Sequence, residues 1–182
     1  MTTAPSKIGL GGGCHWCTEG VFESLIGITK VKQGWIASSG EHADFSEAVE
    51  VYFDAAVISL SELIEIHLYT HASSSNHSMR GKYRSAIYTY NDIQFEQASN
   101  ILHLFKSEFA TEIITQVHEF IGFKENKIEL QNYFYSAPER PFCKTYIHPK
   151  LILLLDRFNR HVDQSKIAKV SFEVANHKIK HG

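Results

Sequence analysis

Three consecutive glycines, Gly11-Gly12-Gly13, separate the short apolar run Lys7–Leu10 from the tetrad Cys14-His15-Trp16-Cys17. Trp16, Val21, Phe22 and Leu25 then recur at near-helical spacing up to Gly27. A strand that turns sharply on glycine and feeds a helix forces the residue after the turn to the helix N-terminus. That residue is Cys14. Partial positive charge and free N–H groups at such a terminus lower a thiol pKa and favour the reactive thiolate. The same pattern is equally compatible with a small buried cysteine behind a tight turn. Cys17 completes a Cys-x-x-Cys, a spacing used by redox pairs and by half of a zinc site; Cys143 stands alone.

The remaining pattern extends this first unit. Ile28–Ser38 reads as a strand and Ala48–Phe53 as a second, with Val49 and Val51 on one side and Glu50 and Tyr52 on the other. Ser59-Leu60-Ser61-Glu62 is a capping box opening a helix that stops near His71. Ser85–Tyr90 is a strand, Asn91 caps a helix with Ala98, Ile101, Leu102, Phe105 and Phe109 on one face, and Ile113–Phe120 is a further strand. The order β-α-β-β-α-β-α-β predicts an α+β fold with a ferredoxin-like split βαβ two-layer core and a long, irregular C-terminal extension. In that extension Lys150–Asn159 is an expected helix, with Pro149 near its start. The chain divides into one domain over residues 1–160 and a C-terminal tail over 161–182 that is expected to be mobile.

Composition narrows the chemistry. With 182 residues and a hydrophobic content of 43%, the chain buries a core without disulfides, and its 3 cysteines cannot all pair within it. A formal net charge of −2 argues against a nucleic-acid partner. The longest apolar run near the C-terminus, Leu151–Leu155, is far too short to span a membrane, and Met1–Leu10 lacks the basic start and apolar centre of a signal peptide. A reducing cytoplasm is the expected compartment. The pairs His67/His71 and His177/His181 lie four apart, but no third ligand is evident, so no metal is expected.

Four motifs, in one order over about residues 7–155, resemble those of the A-type peptide methionine sulfoxide reductases: Gly12-Gly13-Cys14-His15-Trp16-Cys17-Thr18-Glu19, Ser46-Glu47-Ala48-Val49-Glu50-Val51, Tyr83-Arg84-Ser85-Ala86-Ile87-Tyr88 and Pro141-Phe142-Cys143. The resemblance implies thiol-dependent reduction of methionine S-sulfoxide, free or in peptides. It implies Cys14 as nucleophile, Glu47 as the acid that protonates the sulfoxide oxygen, Tyr83 as a second group on that oxygen, and Trp16 as the wall of the methyl pocket. A Cys14 sulfenic acid would condense with a second thiol, and thioredoxin would reduce the disulfide by exchange; no bound cofactor is implied. Cys143, on a C-terminal stretch able to swing towards Cys14, is the expected resolving thiol, with Cys17 its rival.

The chain also departs from the family pattern. His15 stands where phenylalanine is usual, Trp35 where a tyrosine follows glycine, and Ser78 where an aspartate precedes the retained tyrosine. These three positions are expected to line the substrate site. The family's Ala-Glu-x-Tyr-His-Gln segment reads here only as Ala137-Pro138-Glu139-Arg140. Two other classes remain open: a general dithiol oxidoreductase using Cys14 and Cys17, and a non-enzymatic binder of oxidised methionine or sensor of oxidants. A monomer is expected.

Overall fold

The computed structural model describes residues 6–170. Strand β1 (Ser6–Gly11) runs into α1 (His15–Glu23), followed by β2 (Ile28–Ala37), β3 (Ser46–Phe53), α2 (Leu60–Thr70) and β4 (Ala86–Thr89). These six elements form the expected split βαβ core: β1 and β2 do not touch but flank β3, and the antiparallel order is β4-β1-β3-β2. The capping box at α2 is present in full, with Ser59 Oγ accepting from the Glu62 N–H at 3.2 Å and the Glu62 carboxylate accepting from the Ser59 N–H at 2.8 Å.

Beyond β4 the chain differs from the expected pattern. Helix α3 (Asp92–Lys106) leads to β5 (Gln116–Glu119), which lies parallel to β4. The single strand expected over Ile113–Phe120 is thus shorter, and β6 (Gly122–Glu125), which sequence periodicity missed, pairs with β2 on the opposite edge. Only Phe120 and Ile121 join these two edge strands. The Phe120 N–H donates to Thr89 O at 2.9 Å and the Ile121 N–H to Ala37 O at 3.1 Å. Two residues span no more than about 7 Å, so the sheet is rolled until its edges meet. The small cluster Ile36, Ala48, Ala86 and Tyr88, with Phe120 and Phe123 against it, fills the face away from the main core. Gly9 permits that closeness: a Cβ there would stand 2.8 Å from both Ile36 and Tyr88.

The main core lies between the sheet and the helices, around Leu10, Phe22, Val49, Val51 and Leu63. The C-terminal extension covers it with α4 (Tyr133–Ser136), α5 (His148–Arg157) and α6 (Gln164–Ile167). Helix α5 begins two residues before the expected Lys150, with Pro149 in its first turn. The expected tail is packed over its first ten residues. Val162 bridges Leu25, the Ile26 N–H donates to His161 O at 2.8 Å, and Ile167 and Val170 are buried. The apolar positions 162, 167 and 170 hold this stretch down; the rest of the tail, with His177 and His181, lies outside the described residues. Among the described residues no helix is long and apolar enough to cross a membrane.

Where α1 meets this extension, Glu23 carries a stability prediction. Its Oε2 is buried without a hydrogen-bond partner among the described residues, while Lys166 Nζ donates to the Glu23 carbonyl rather than to its carboxylate. Burial first, and the charge of Glu19 second, push the Glu23 carboxyl up to about 8 against the pull of Lys166. Because the folded value lies above the unfolded one, the unfolded chain ionises first, and stability falls as pH rises from roughly 4.5 towards 8. Glu23→Gln removes that loss. With the shift discounted for partial exposure to about 1–2 kcal/mol, melting curves should place the variant about 2–8 °C above wild type at pH 8 and level with it at pH 4. An equal offset at both pH values would show that ionisation of Glu23 is not the cause.

Candidate active site around Cys14

The glycine turn after β1 is set by two histidines of α2. A Cβ on Gly12 would fall inside the His71 ring, so only glycine lets the chain pass. His71 reaches Ser85 Oγ through Nε2 at 2.8 Å and the His67 carbonyl through Nδ1, while His67 Nε2 bonds Gly11 O at 2.9 Å. Burial holds both rings neutral, pushing His67 down to about 4 and His71 well below its ordinary value. The pair at metal-ligand spacing is thus a scaffold for the turn.

The turn delivers Cys14 to the N-cap of α1, where its carbonyl accepts from Cys17 N–H at 3.1 Å and Thr18 N–H at 3.2 Å. The Cys14 thiol is held below the ordinary cysteine range. The main cause is a hydrogen bond from the Cys17 thiol, helped by the Trp16 and Cys17 N–H dipoles; burial and the charge of Glu47 oppose. The same bond, with burial, pushes the Cys17 thiol far up. The two shifts run in opposite directions and make Cys14, not Cys17, the better nucleophile of the pair.

Glu47 is 6% exposed and sits opposite Trp35 in the β2–β3 register. Its Oε2 accepts the His15 N–H at 3.1 Å, and Lys82 Nζ stands 3.4 Å from Oε1. Lys82 also hydrogen-bonds the side chain of Tyr83 and lies 5.0 Å over its ring, so one ammonium ties the carboxyl to the phenol. His15 is buried at 4% exposure, with Nδ1 3.0 Å from Gly34 O and its ring 5.0 Å edge-on from Trp35. His15 and Trp35 thus stand beside Glu47, Trp35 through the β2–β3 register and His15 through its backbone N–H, and neither lines the cavity at Cys14.

Trp16 lies on the other side of the nucleophile. Its ring stacks on Tyr133 at 4.1 Å with Phe142 edge-on at 5.6 Å. Tyr133 is anchored through the fully buried Glu19 of α1, whose carboxylate accepts the Asn132 N–H at 2.6 Å, the Tyr133 N–H at 3.0 Å and Gln33 Nε2 at 2.7 Å. Asn132 enters α4 in the left-handed region, φ 54°, which asparagine tolerates. Asn132 and Tyr133 thus dock on α1, and Arg140 of the Ala137–Arg140 stretch lies 4.4 Å over the Tyr133 ring.

A mainly apolar cavity of about 430 Å³ opens at the nucleophile, lined among others by Cys14, Cys17, Met79, Tyr83, Phe142 and Lys150. Ser78 is exposed and does not line it, although its neighbours His77 and Met79 do. Cys143 is fully buried in a π-helical turn (Cys143–Ile147), with Sγ 3.7 Å from the Ala137 carbonyl, and is also absent from the cavity wall. The structure thus brings Cys14, Cys17 and Tyr83 together, places Glu47, His15 and Trp35 behind them and Trp16 beside them, and leaves Ser78 and Cys143 outside. Lys82, Tyr133 and Lys150 are site residues that sequence reasoning missed.

A thiol of lowered pKa at a helix start, a second thiol on the same cavity, and a carboxyl and a phenol linked through Lys82 are the groups of a thiol-dependent reductase. A family model described as peptide methionine sulfoxide reductase matches residues 6–165. The peptide methionine sulfoxide reductase MsrA of Trichodesmium erythraeum is 31% identical over 158 residues, 78% of this chain and 89% of that protein. That of Ralstonia nicotianae is 30% identical over 169 residues, covering 82% and 88%. Among solved structures, reduced Mxr1 from Saccharomyces cerevisiae superposes with a TM-score of 0.68 at 21% identity, covering 80% of this chain and 93% of that one. Mxr1 has also been solved in complex with Trx2, and that copy matches with a TM-score of 0.57 at 21% identity over 73% of this chain and 87% of that one. The chain belongs to the peptide methionine sulfoxide reductase family.

Proposed function

We propose that this chain reduces the S epimer of methionine sulfoxide, free or in peptides, through Cys14. The observation that carries the reading is the Cys14 thiol at the N-cap of α1, on one cavity with Cys17 and Tyr83, with the Glu47 carboxylate accepting the N–H of the next residue, His15. Cys14 attacks the sulfoxide sulfur while Glu47 and Tyr83 supply hydrogen bonds and a proton to its oxygen. The S–O bond breaks, methionine leaves reduced by two electrons, and the oxygen remains on Cys14 as a sulfenic acid.

The resolving thiol is Cys17. It already contacts Cys14 and shares its cavity, whereas Cys143 is sealed in the core and would need the π-helical turn to open. Closing the disulfide releases water, and a dithiol partner such as thioredoxin returns both sulfurs to the reduced state. Electrons thus pass only through thiols, which suits a reducing cytoplasm, and one chain holds every group the cycle uses. The test is an assay on both epimers with a thioredoxin system, followed by disulfide mapping after one turnover. Consumption of the S epimer alone and a Cys14–Cys17 bond are expected. Reduction of the R epimer would overturn the stereochemical reading, and a Cys14–Cys143 bond would return the resolving role to Cys143.

A further inference from the structure

We infer that Lys150 positions the proton of the Cys17 thiol for the step that closes the Cys14–Cys17 disulfide. This rests on the reading of Cys17 as the resolving thiol. Lys150 is the cation on the wall of the cavity that holds both sulfurs. Its Nζ donates to the Thr70 carbonyl at the end of α2, which fixes the ammonium on a neutral group. Burial holds the Lys150 ammonium below the usual lysine range, and the charges that work against that burial are those of Cys17 and Cys14, not of a carboxylate.

The cycle gives that cation one specific task. In the resting state the Cys17 proton is directed at the Cys14 sulfur. Once Cys14 carries oxygen, that acceptor is gone, and Cys17 is a poor nucleophile until its proton moves. Closing the disulfide forms S–S, breaks S–O and sends the Cys17 proton to the departing hydroxyl as water, with no outside oxidant or reductant. Cys143, behind Cys17, disfavours the Cys17 thiolate, and Lys150 favours it. His67 and His71 on the same wall are held neutral and supply no charge. Lys150 therefore stabilises the developing Cys17 thiolate while the Cys17 proton passes to the leaving hydroxyl. It is a positioning residue for resolution and is not needed for the first transfer of oxygen.

Rapid-quench measurements on Lys150→Met and Lys150→Gln separate the two steps. Formation of the first equivalent of methionine should slow far less than disulfide closure does. Disulfide closure, followed by dimedone capture of the sulfenic acid, should slow about 10–100-fold, as expected for loss of a neighbouring charge worth one to two pK units. Lys150→Arg should recover most of the loss. Closure at the wild-type rate in both neutral variants, equal slowing of both steps, or no recovery with arginine would overturn the assignment. A Cys14–Cys143 bond in the wild type would overturn the Cys17 reading and this inference together. A wild-type Cys14–Cys17 bond with unaltered closure in the variants would overturn this inference alone.

Discussion

Cys14→Ser should abolish sulfoxide reduction and at the same time leave the protein as stable as wild type or slightly more so. The two effects come from different properties of one position. Activity depends on a sulfur whose ionisation its neighbours favour and which can carry oxygen reversibly; a serine hydroxyl does not ionise at neutral pH and cannot form the sulfenic acid. Removing a covalent nucleophile costs on the order of 10⁶ in turnover, which places the variant below detection. Stability depends on the N-cap. Cys14 occupies that position with φ −57° and ψ 129°, but its side chain makes no capping hydrogen bond to the helix. Serine at an N-cap accepts from the second or third N–H of the helix and is worth about 1 kcal/mol over a poor cap, or about 2–4 °C in a domain of this size. An assay of S-sulfoxide reduction beside a melting curve checks both. Residual activity above about 1% of wild type would identify Cys17 as an alternative nucleophile. A marked drop in melting temperature would show that the cysteine had a packing role.

The parts of the molecule with strong local signals were legible in the sequence. The glycine turn, the helix-start cysteine and the capping box at Ser59 are each determined within a few residues, and they place β1, α1 and α2. The rolled closure was not legible, because Gly122-Phe123-Lys124-Glu125 has no apolar alternation of its own. It is a strand only because the two-residue link at Phe120–Ile121 brings it to the free edge of β2. The site divides in the same way. Cys14, Glu47 and Tyr83 lie in motifs that identify themselves. Tyr133 belongs to it through an aromatic stack and the amides held by Glu19, which are contacts between residues more than 110 apart in sequence. His15 and Trp35 were expected at the substrate site because they stand where the family pattern has a phenylalanine and a tyrosine; neither is on the cavity wall, and Trp35 pairs with Glu47 across β2 and β3 while His15 packs edge-on against Trp35. The tail misled for a simpler reason. Three apolar residues among its lysines, Val162, Ile167 and Val170, are buried and hold residues 161–170 beside α1.

Glu47→Gln should lower kcat/KM for S-sulfoxide about 10²–10⁴-fold, the usual worth of a positioned proton donor. The substitution is nearly isosteric. The amide oxygen can still accept the His15 N–H that Oε2 accepts at 3.1 Å, so the turn into α1 and the placement of Cys14 survive. What it removes is the carboxyl as a proton donor and the partner of Lys82, whose Nζ lies 3.4 Å from Oε1. Protonation of the sulfoxide oxygen matters because oxygen leaves sulfur only if its growing negative charge is met as the S–O bond lengthens. The loss should therefore fall on formation of the first equivalent of methionine, whereas dimedone labelling of Cys14 after peroxide treatment should be nearly unchanged, since attack on peroxide does not use that proton. This contrast separates an acid from a scaffold: a purely structural Glu47 would slow both reactions together. If methionine formation persists at the wild-type rate, the proton comes from the neighbouring pair, the Tyr83 phenol and the Lys82 ammonium bonded to it, and Glu47 serves only to hold that pair in place.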